Sequence, residues 1–422
     1  MSIKVVLEDG LLKRNPSLLP KGSIKFERYE NQQQIIDEYF DKACEALYKE
    51  PKGAMKYQYL VPGGQYEDLW DWDSFFVACA VPDKGISYAK GAVENILSGI
   101  LETTGKPPKR ISPNGERDSY SFPYPLQAQF AYIIAKRVGD FEWVRPYWNN
   151  LKRMRQWFDE NTKSPRGYYI WLAMYGNGLD NNPAVYGRPN HSSAGIDLVS
   201  WHYRDMMAMY KFSKIFEPDT SDYYLNKANE LKKQVQDNYW DIMDGYFYNI
   251  DCSEDFAQKT CQEITWHIYL KFRSIASIFP LWAGIATDEQ AKRIRDVLMD
   301  ESEFLAPCGT RSHSKSDPIY NNVQMKDPSN WQGPVWGITS FLAAYGLNRY
   351  GYKQEAKEIA NRMVSTFASD IKQNGCVHEY YHGDTGQPLF QPEFISWNVL
   401  ARRVLKDILS DNDCTTYDLL DI

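Results

Sequence analysis

Four stretches of this 422-residue chain bring carboxylates, amides and large aromatic rings together: residues 64–76, 175–183, 330–336 and 376–397. In the first, Tyr66, Trp70, Trp72 and Asp73 alternate ring faces with acids. So many polar groups cannot all be buried unless a ligand or partner bonds them; the competing reading is a helix start capped by Asp71 or Asp73. In the second, Gly178 lets backbone approach a ligand beside Asp180 and Pro183 fixes the exit. An Asp in such a turn ordinarily serves its own backbone instead. The third offers Trp331, Gln332 and Trp336 from a short, stiff loop before an apolar helix. The fourth sets Glu379 between His378 and two tyrosines, where a plain surface Glu is the alternative. Hydrolysis of a glycosidic bond needs two carboxyl groups on opposite sides of an anomeric carbon, surrounded by rings and amides. One must be protonated to release the leaving oxygen and the other ionised to activate water. Asp180 and Glu379 are the pair best placed for that chemistry.

Helices must position these loops. Apolar residues recur at helical spacing through most of the chain and predict about eleven or twelve helices, with few convincing strands. The segments 219–239 and 353–370 carry a single apolar stripe and suit an outer ring, whereas 197–216 and 336–347 are apolar on more of their circumference and suit an inner one. No Gly-, Ser- or Pro-rich linker divides residues 30–410. The expectation is one domain, 1–422, with the N-terminal ~25 residues peripheral to it. The long segments are not self-similar, which favours a closed toroid over an open repeat array. Long loops at one end of such a barrel are where chemistry normally sits.

Composition narrows the partners. A net charge of −7 disfavours nucleic acid, which needs a basic face, and no apolar run is long enough to span a membrane. Seven scattered cysteines without a Cys-x-x-Cys pair point away from zinc or redox work and toward free thiols. Charged residues near the N-terminus interrupt any signal-peptide core, so a cytoplasmic location is expected. Aromatic residues make up 15% of the chain, and their flat faces suit sugar C–H surfaces as well as helical cores. The expected partner is a small saccharide, with no cofactor; oligomeric state is not legible, since an apolar outer face fits a dimer contact or the core equally.

Taken together, the four segments resemble glycoside hydrolase family 63, with its trehalase and glycerate-glycoside hydrolase relatives, over about residues 60–400. Tyr66 to Ser74 matches a Tyr-x-x-x-Trp-x-Trp-Asp-Ser signature, and Gly178 to Pro183 a Gly-x-Asp-Asn-x-Pro loop. Trp331 to Trp336 matches Trp-x-Gly-Pro-x-Trp, and Glu379, Tyr381, Thr385, Gly386 and Phe394 to Trp397 match the late signature. The resemblance implies an all-α fold, an (α/α)6 barrel, and an inverting, metal-independent reaction with Asp180 as general acid and Glu379 as general base. It also implies that Asp73 holds glycone hydroxyls and that Tyr66, Trp70, Trp72, Gly178, Trp331, Gln332 and Trp336 shape the subsite. Gln127, in a segment where Tyr124 interrupts a proline pair, is the matching candidate for a sugar-binding amide, with Gln129 as competitor. Asn182, the run His378 to Tyr381, and Asn398 depart from the family pattern. The absence of large insertions brings the chain closer to mannosylglycerate and glucosylglycerate hydrolases.

The leading expectation is therefore inverting hydrolysis of a small α-glucoside or α-mannoside: glucosylglycerate, mannosylglycerate or a glucose disaccharide. The two carboxyls should then lie roughly 6.5–9.5 Å apart. A charged aglycone such as glycerate would call on Arg117, Arg188 or His191. A sugar epimerase or unsaturated-uronide hydrolase on the same barrel is the first alternative; an epimerase would depend on histidines, and the six here form no obvious pair outside the last loop. A non-catalytic carbohydrate-binding protein is the second, and it would need neither carboxylate.

Overall fold

Helices of two kinds alternate along the computed structural model, which describes residues 24–116, 122–174, 177–255, 267–325 and 329–410. In chain order they are α1 (Gln32–Ala43), α2 (Asp71–Ala80), α3 (Ile86–Ser98) and α4 (Gln127–Val138). Next come α5 (Trp148–Asn161), α6 (Ile196–Phe216), α7 (Ser221–Asn238) and α8 (Phe279–Ala283). The last are α9 (Asp288–Leu298), α10 (Gly337–Arg349), α11 (Lys353–Asn374) and α12 (Ala401–Val404).

The odd-numbered helices form the outer ring. α7 buries Tyr224, Ala228, Leu231 and Val235, a stripe of i, i+4, i+7, i+11 positions, and turns the rest of its surface outward. α9 does the same with Ala291, Ile294 and Leu298 after a capping box in which Thr287 and Gln290 satisfy each other's backbone N–H. The even-numbered helices are enclosed: α2 is buried along its whole length and α10 from Gly337 to Leu347.

These inner helices close on themselves. α2 packs on α4, α4 on α6, α6 on α8 and α8 on α10; α10 meets the short helical turn Ser396–Leu400 that leads into α12, and that turn returns to α2. Such closure is what distinguishes an (α/α)6 barrel from an open solenoid. At its centre Phe75 and Phe76 of α2 contact Phe130, Trp201, Trp282 and Phe341, one from each of the next four inner helices, at ring separations of 5.3–6.3 Å. Each ring buried this way contributes on the order of 1.5–3 kcal/mol. One hydrophobic cluster runs from Ile24 to Ile408; the peripheral N-terminal segment expected from the sequence lies almost entirely outside the described residues.

Two-residue antiparallel ladders sit where the chain enters the inner ring. Leu69–Trp70 pairs with Arg110–Ile111 before α2, Ser193–Ala194 with Ile170–Trp171 before α6, and Val335–Trp336 with Tyr380–Tyr381 before α10. They pin the loops that carry the site. The cap by Asp71 or Asp73 that formed the competing reading is absent, because Trp70 occupies the N-cap without a side-chain bond. Asp71 instead accepts from the N–H groups of Trp72 and Tyr124, tying two loops together. Among the described residues no helix is long and apolar enough to cross a membrane, and no cluster of His, Cys, Asp and Glu is composed to hold a metal ion. Cys44, Cys79, Cys252, Cys308 and Cys376 are buried.

Candidate active site

A cavity of about 400 Å³ opens among the segments that precede α2, α10 and α12 and the turn around Asp180. Its walls include Tyr66, Trp70, Trp72, Asp73, Gly178, Asp180, Trp331, Trp336 and Glu379, so three of the four sequence segments converge with the turn that carries the candidate acid. Pro62, Gln65, Lys109, Ser329, Phe394 and Trp397 complete it.

Rings hold one another in place. Trp331 and Trp336 stack at 4.1 Å with planes 6° apart, and Trp72 stacks on Tyr124 at 5.1 Å and 7°. Trp397 meets Trp72 edge-on at 5.2 Å. Trp336 Nε1 donates to the Asn330 carbonyl at 3.0 Å and Trp331 Nε1 to Ser329 Oγ at 3.3 Å. The apolar faces are thus arranged by protein contacts alone, ready for a sugar ring at little ordering cost.

Three carboxyl groups share this space. Ser329 Oγ donates to Asp180 Oδ2, Ser396 Oγ donates to Asp73 Oδ1 at 2.7 Å, and the Tyr66 hydroxyl lies 3.5 Å from both oxygens of Glu379. Burial pushes Asp73 up to about 7, with the Asp180 charge adding to the rise while the Ser396 bond and the Lys109 ammonium oppose it. Burial, then Asp180 and Asp73, hold Glu379 well above the usual carboxylate range, against the Tyr66 hydrogen bond. Like charges sharing one largely buried cavity cannot all persist, so the cluster retains a proton where isolated carboxyls would not. An acid and a base can coexist there.

The turn bearing Asp180 is fastened from behind. Asn181 Oδ1 accepts from the Trp331 N–H at 2.6 Å and its Nδ2 donates to Asn330 Oδ1 at 3.1 Å. Gln332 Nε2 donates to the Asn181 carbonyl at 2.8 Å, while its Oε1 accepts from Asn321 at 3.0 Å. Both ends of the Gln332 amide are thus bonded to protein, and it supports the acid turn without being among the residues that line the cavity. Gln127, the first residue of α4, is buried and is not among the residues that line the cavity; its Oε1 accepts from the Leu126 N–H at 3.2 Å, while its Nε2 is buried without a hydrogen-bond partner among the described residues. Gln129 is likewise committed, to Arg204 and the Pro125 carbonyl.

Gly178 has no room for a side chain. Its φ is +70°, and a Cβ there would lie 2.1 Å from the Tyr124 hydroxyl and 2.8 Å from Trp72. Gly178→Ala is therefore expected to cost about 1–3 kcal/mol of stability through backbone strain and collision. It should also displace the turn that bears Asp180, lowering kcat/KM by about tenfold or more. Thermal melting and steady-state kinetics check both; wild-type values in both would show the turn is not so constrained.

Behind Glu379, His378 Nδ1 and the Tyr381 hydroxyl each bond Asp370 Oδ2 at 2.7 Å. Asn398 Nδ2 donates to the carbonyls of His378 and Phe394 at 2.9 Å. The departures at His378 and Asn398 are thus the internal fastening of the strand that presents Glu379. No histidine is found among the described residues that line the cavity. Arg188 pairs with Asp251 at 2.9 Å and His191 is exposed, and neither is among the lining residues; Arg117 lies outside the described residues. Of the residues missed, Trp397 and Phe394 stood inside a recognised motif, and Ser329 directly precedes one. Lys109 had no local signal.

A closed double ring of helices whose loop end gathers carboxyls into an aromatic cavity defines a barrel glycoside hydrolase. The chain belongs to the family described as the mannosylglycerate hydrolase MGH1-like glycoside hydrolase domain, whose model matches residues 66–397. Among solved structures it is similar to the glycoside hydrolase family 63 mannosylglycerate hydrolase from Thermus thermophilus in complex with glucose, at 18% identity and a TM-score of 0.67 over 86% of this chain and 99% of that one. The same hydrolase in complex with Tris and D-glycerate matches at 17% and 0.64, over 88% and 99%. Neutral trehalase from Saccharomyces cerevisiae matches at 19% and 0.63, over 98% and 85%. At these identities the likeness is one of fold.

Proposed function

We propose that this glycoside hydrolase inverts the anomeric centre of a small α-glucoside or α-mannoside, with Asp180 as general acid and Glu379 as general base. The observation that carries the reading is the placement of Asp180, Glu379 and Asp73 on the walls of one aromatic cavity of about 400 Å³. That volume suits a small ligand, here one sugar ring and a short aglycone. Asp180 donates its proton to the glycosidic oxygen as the bond to the anomeric carbon breaks, and Glu379 takes a proton from the water that attacks the opposite face. Asp73, steadied by Ser396, accepts from glycone hydroxyls, while Trp72, Trp331 and Trp336 bound the ring. The candidate substrates are glucosylglycerate, mannosylglycerate and glucose disaccharides, acted on by the chain as a single barrel domain in the cytoplasm. Glucose and D-glycerate in the Thermus hydrolase complexes support including the glycerate glycosides.

The test is a hydrolysis screen over glucosylglycerate, mannosylglycerate, trehalose, kojibiose, nigerose and isomaltose, with the first-formed anomer followed by proton NMR. Release of β-sugar from one of them is the expected result. Release of the glycone first as the α-anomer would overturn inversion, and inactivity on every compound would overturn the substrate class.

A further inference from the structure

The ladder that pairs Trp70 with Arg110 brings the preceding residue, Lys109, against the first turn of α2, where its carbonyl accepts the Asp71 N–H at 2.9 Å. Its side chain is 6% exposed and forms part of the cavity wall. The ammonium lies 5.1 Å from the centre of the Tyr124 ring, the ring that stacks on Trp72, and the Tyr124 N–H bonds Asp71. Lys109 therefore lies beside Asp71 and Tyr124 and shares the cavity wall with Asp73. Among the described residues lining the cavity it is the only cationic side chain.

An ionised carboxylate only accepts hydrogen bonds, whereas a protonated one also donates, and bonds to the charged form are the stronger. Asp73 is buried, with the carboxyls of Asp71 on its own helix and of Asp180 and Glu379 across the cavity. Those neighbours all favour its neutral form, and Tyr66 and Tyr124 bring no positive charge. Ser396 supplies one hydrogen bond. We propose that Lys109 is a positioning residue of the glycone subsite, the cation that shifts Asp73 toward its carboxylate form and so toward accepting from sugar hydroxyls. The Lys109 charge opposes the rise at both Asp71 and Asp73, in keeping with its place beside the first turn of α2. The assignment rests on the glycone role proposed for Asp73, but its electrostatic core is independent of any substrate.

The experiment is a pH titration of the free protein carrying 13Cγ-labelled aspartate, with the Asp73 signal assigned through D73N. Removing the positive charge raises the Asp73 pKa, so in K109M its midpoint should move up by about one unit or more, while K109R stays at the wild-type midpoint. The acid limb of kcat/KM should follow, with activity at neutral pH down about tenfold and recovering at higher pH. An unmoved Asp73 midpoint in K109M overturns the proposal. By linkage, D73N must lower the Lys109 pKa to a comparable extent, which 13Cε-labelled lysine reports without altering Lys109. That arm decides the question if K109M does not fold, and an unmoved Lys109 signal there would overturn the proposal. Neither titration involves a substrate, so a failure here is distinct from a failed hydrolysis screen.

Discussion

Glu379→Gln is expected to lower kcat by about 10²–10⁴-fold while leaving the fold intact. The side chain is 4% exposed and its strand is held from behind by Asp370, Tyr381 and Asn398. An amide of the same shape keeps those contacts and the Tyr66 donor but cannot take a proton from water. It also removes one charge from a crowded cluster, so thermal stability should hold or rise. Azide, a nucleophile that needs no deprotonation, should restore turnover and yield the inverted glycosyl azide. Wild-type kcat in the variant would remove Glu379 from the base role. The same carboxyl sets a pH dependence: a base works only when ionised, and burial with Asp180 and Asp73 holds Glu379 well above the usual range. kcat/KM should therefore fall, as pH drops, at a value above the ~4.3 of an ordinary Glu, and a pH–rate profile would read that limb directly.

Asp180→Asn should produce a different pattern. With an alkyl or sugar leaving group, loss of the acid is expected to cost about 10²–10⁴-fold in kcat. A glycosyl fluoride needs no such proton, so its hydrolysis should stay within about tenfold of wild type, because the base and the aromatic walls remain. Glu379→Gln should lose activity on both. This pair of substrates separates the two roles where electrostatics alone does not, since either member of a crowded pair could hold the shared proton. An equal loss for Asp180→Asn on both substrates would assign Asp180 to positioning instead of proton donation.

The helical framework was readable because periodicity is local. Segment 197–216 became α6 at Ile196–Phe216, and 353–370 became the outer helix α11 at Lys353–Asn374. The stripe of α7 and the enclosed faces of α6 and α10 record in each helix how many neighbours it must meet. The carboxyls and tryptophans were readable for a related reason: rings, glycines and acids crowded into short segments have little use in a plain helical core. Asp180, Glu379, Asp73 and the stacked Trp331 and Trp336 all came from such crowding.

Side-chain direction is another matter. Gln127 and Gln332 have the chemistry of sugar-binding amides, yet one turns back to the Leu126 N–H and the other fastens the Asn181 carbonyl. Lys109 and Ser329, unremarkable in the chain, turn into the cavity. The difference is made by which loop lies against which: the pairing of Trp70 with Arg110 and of Trp336 with Tyr380 sets the orientation of residues far apart in sequence. Charge behaves the same way, because the ionisation of Asp73 depends on a lysine from another loop and a carboxyl from a third. Local patterning was enough to specify the double ring and name most of the residues that line its cavity, whereas their facing, their partners and their proton affinities are properties of contacts that exist only once the barrel has closed.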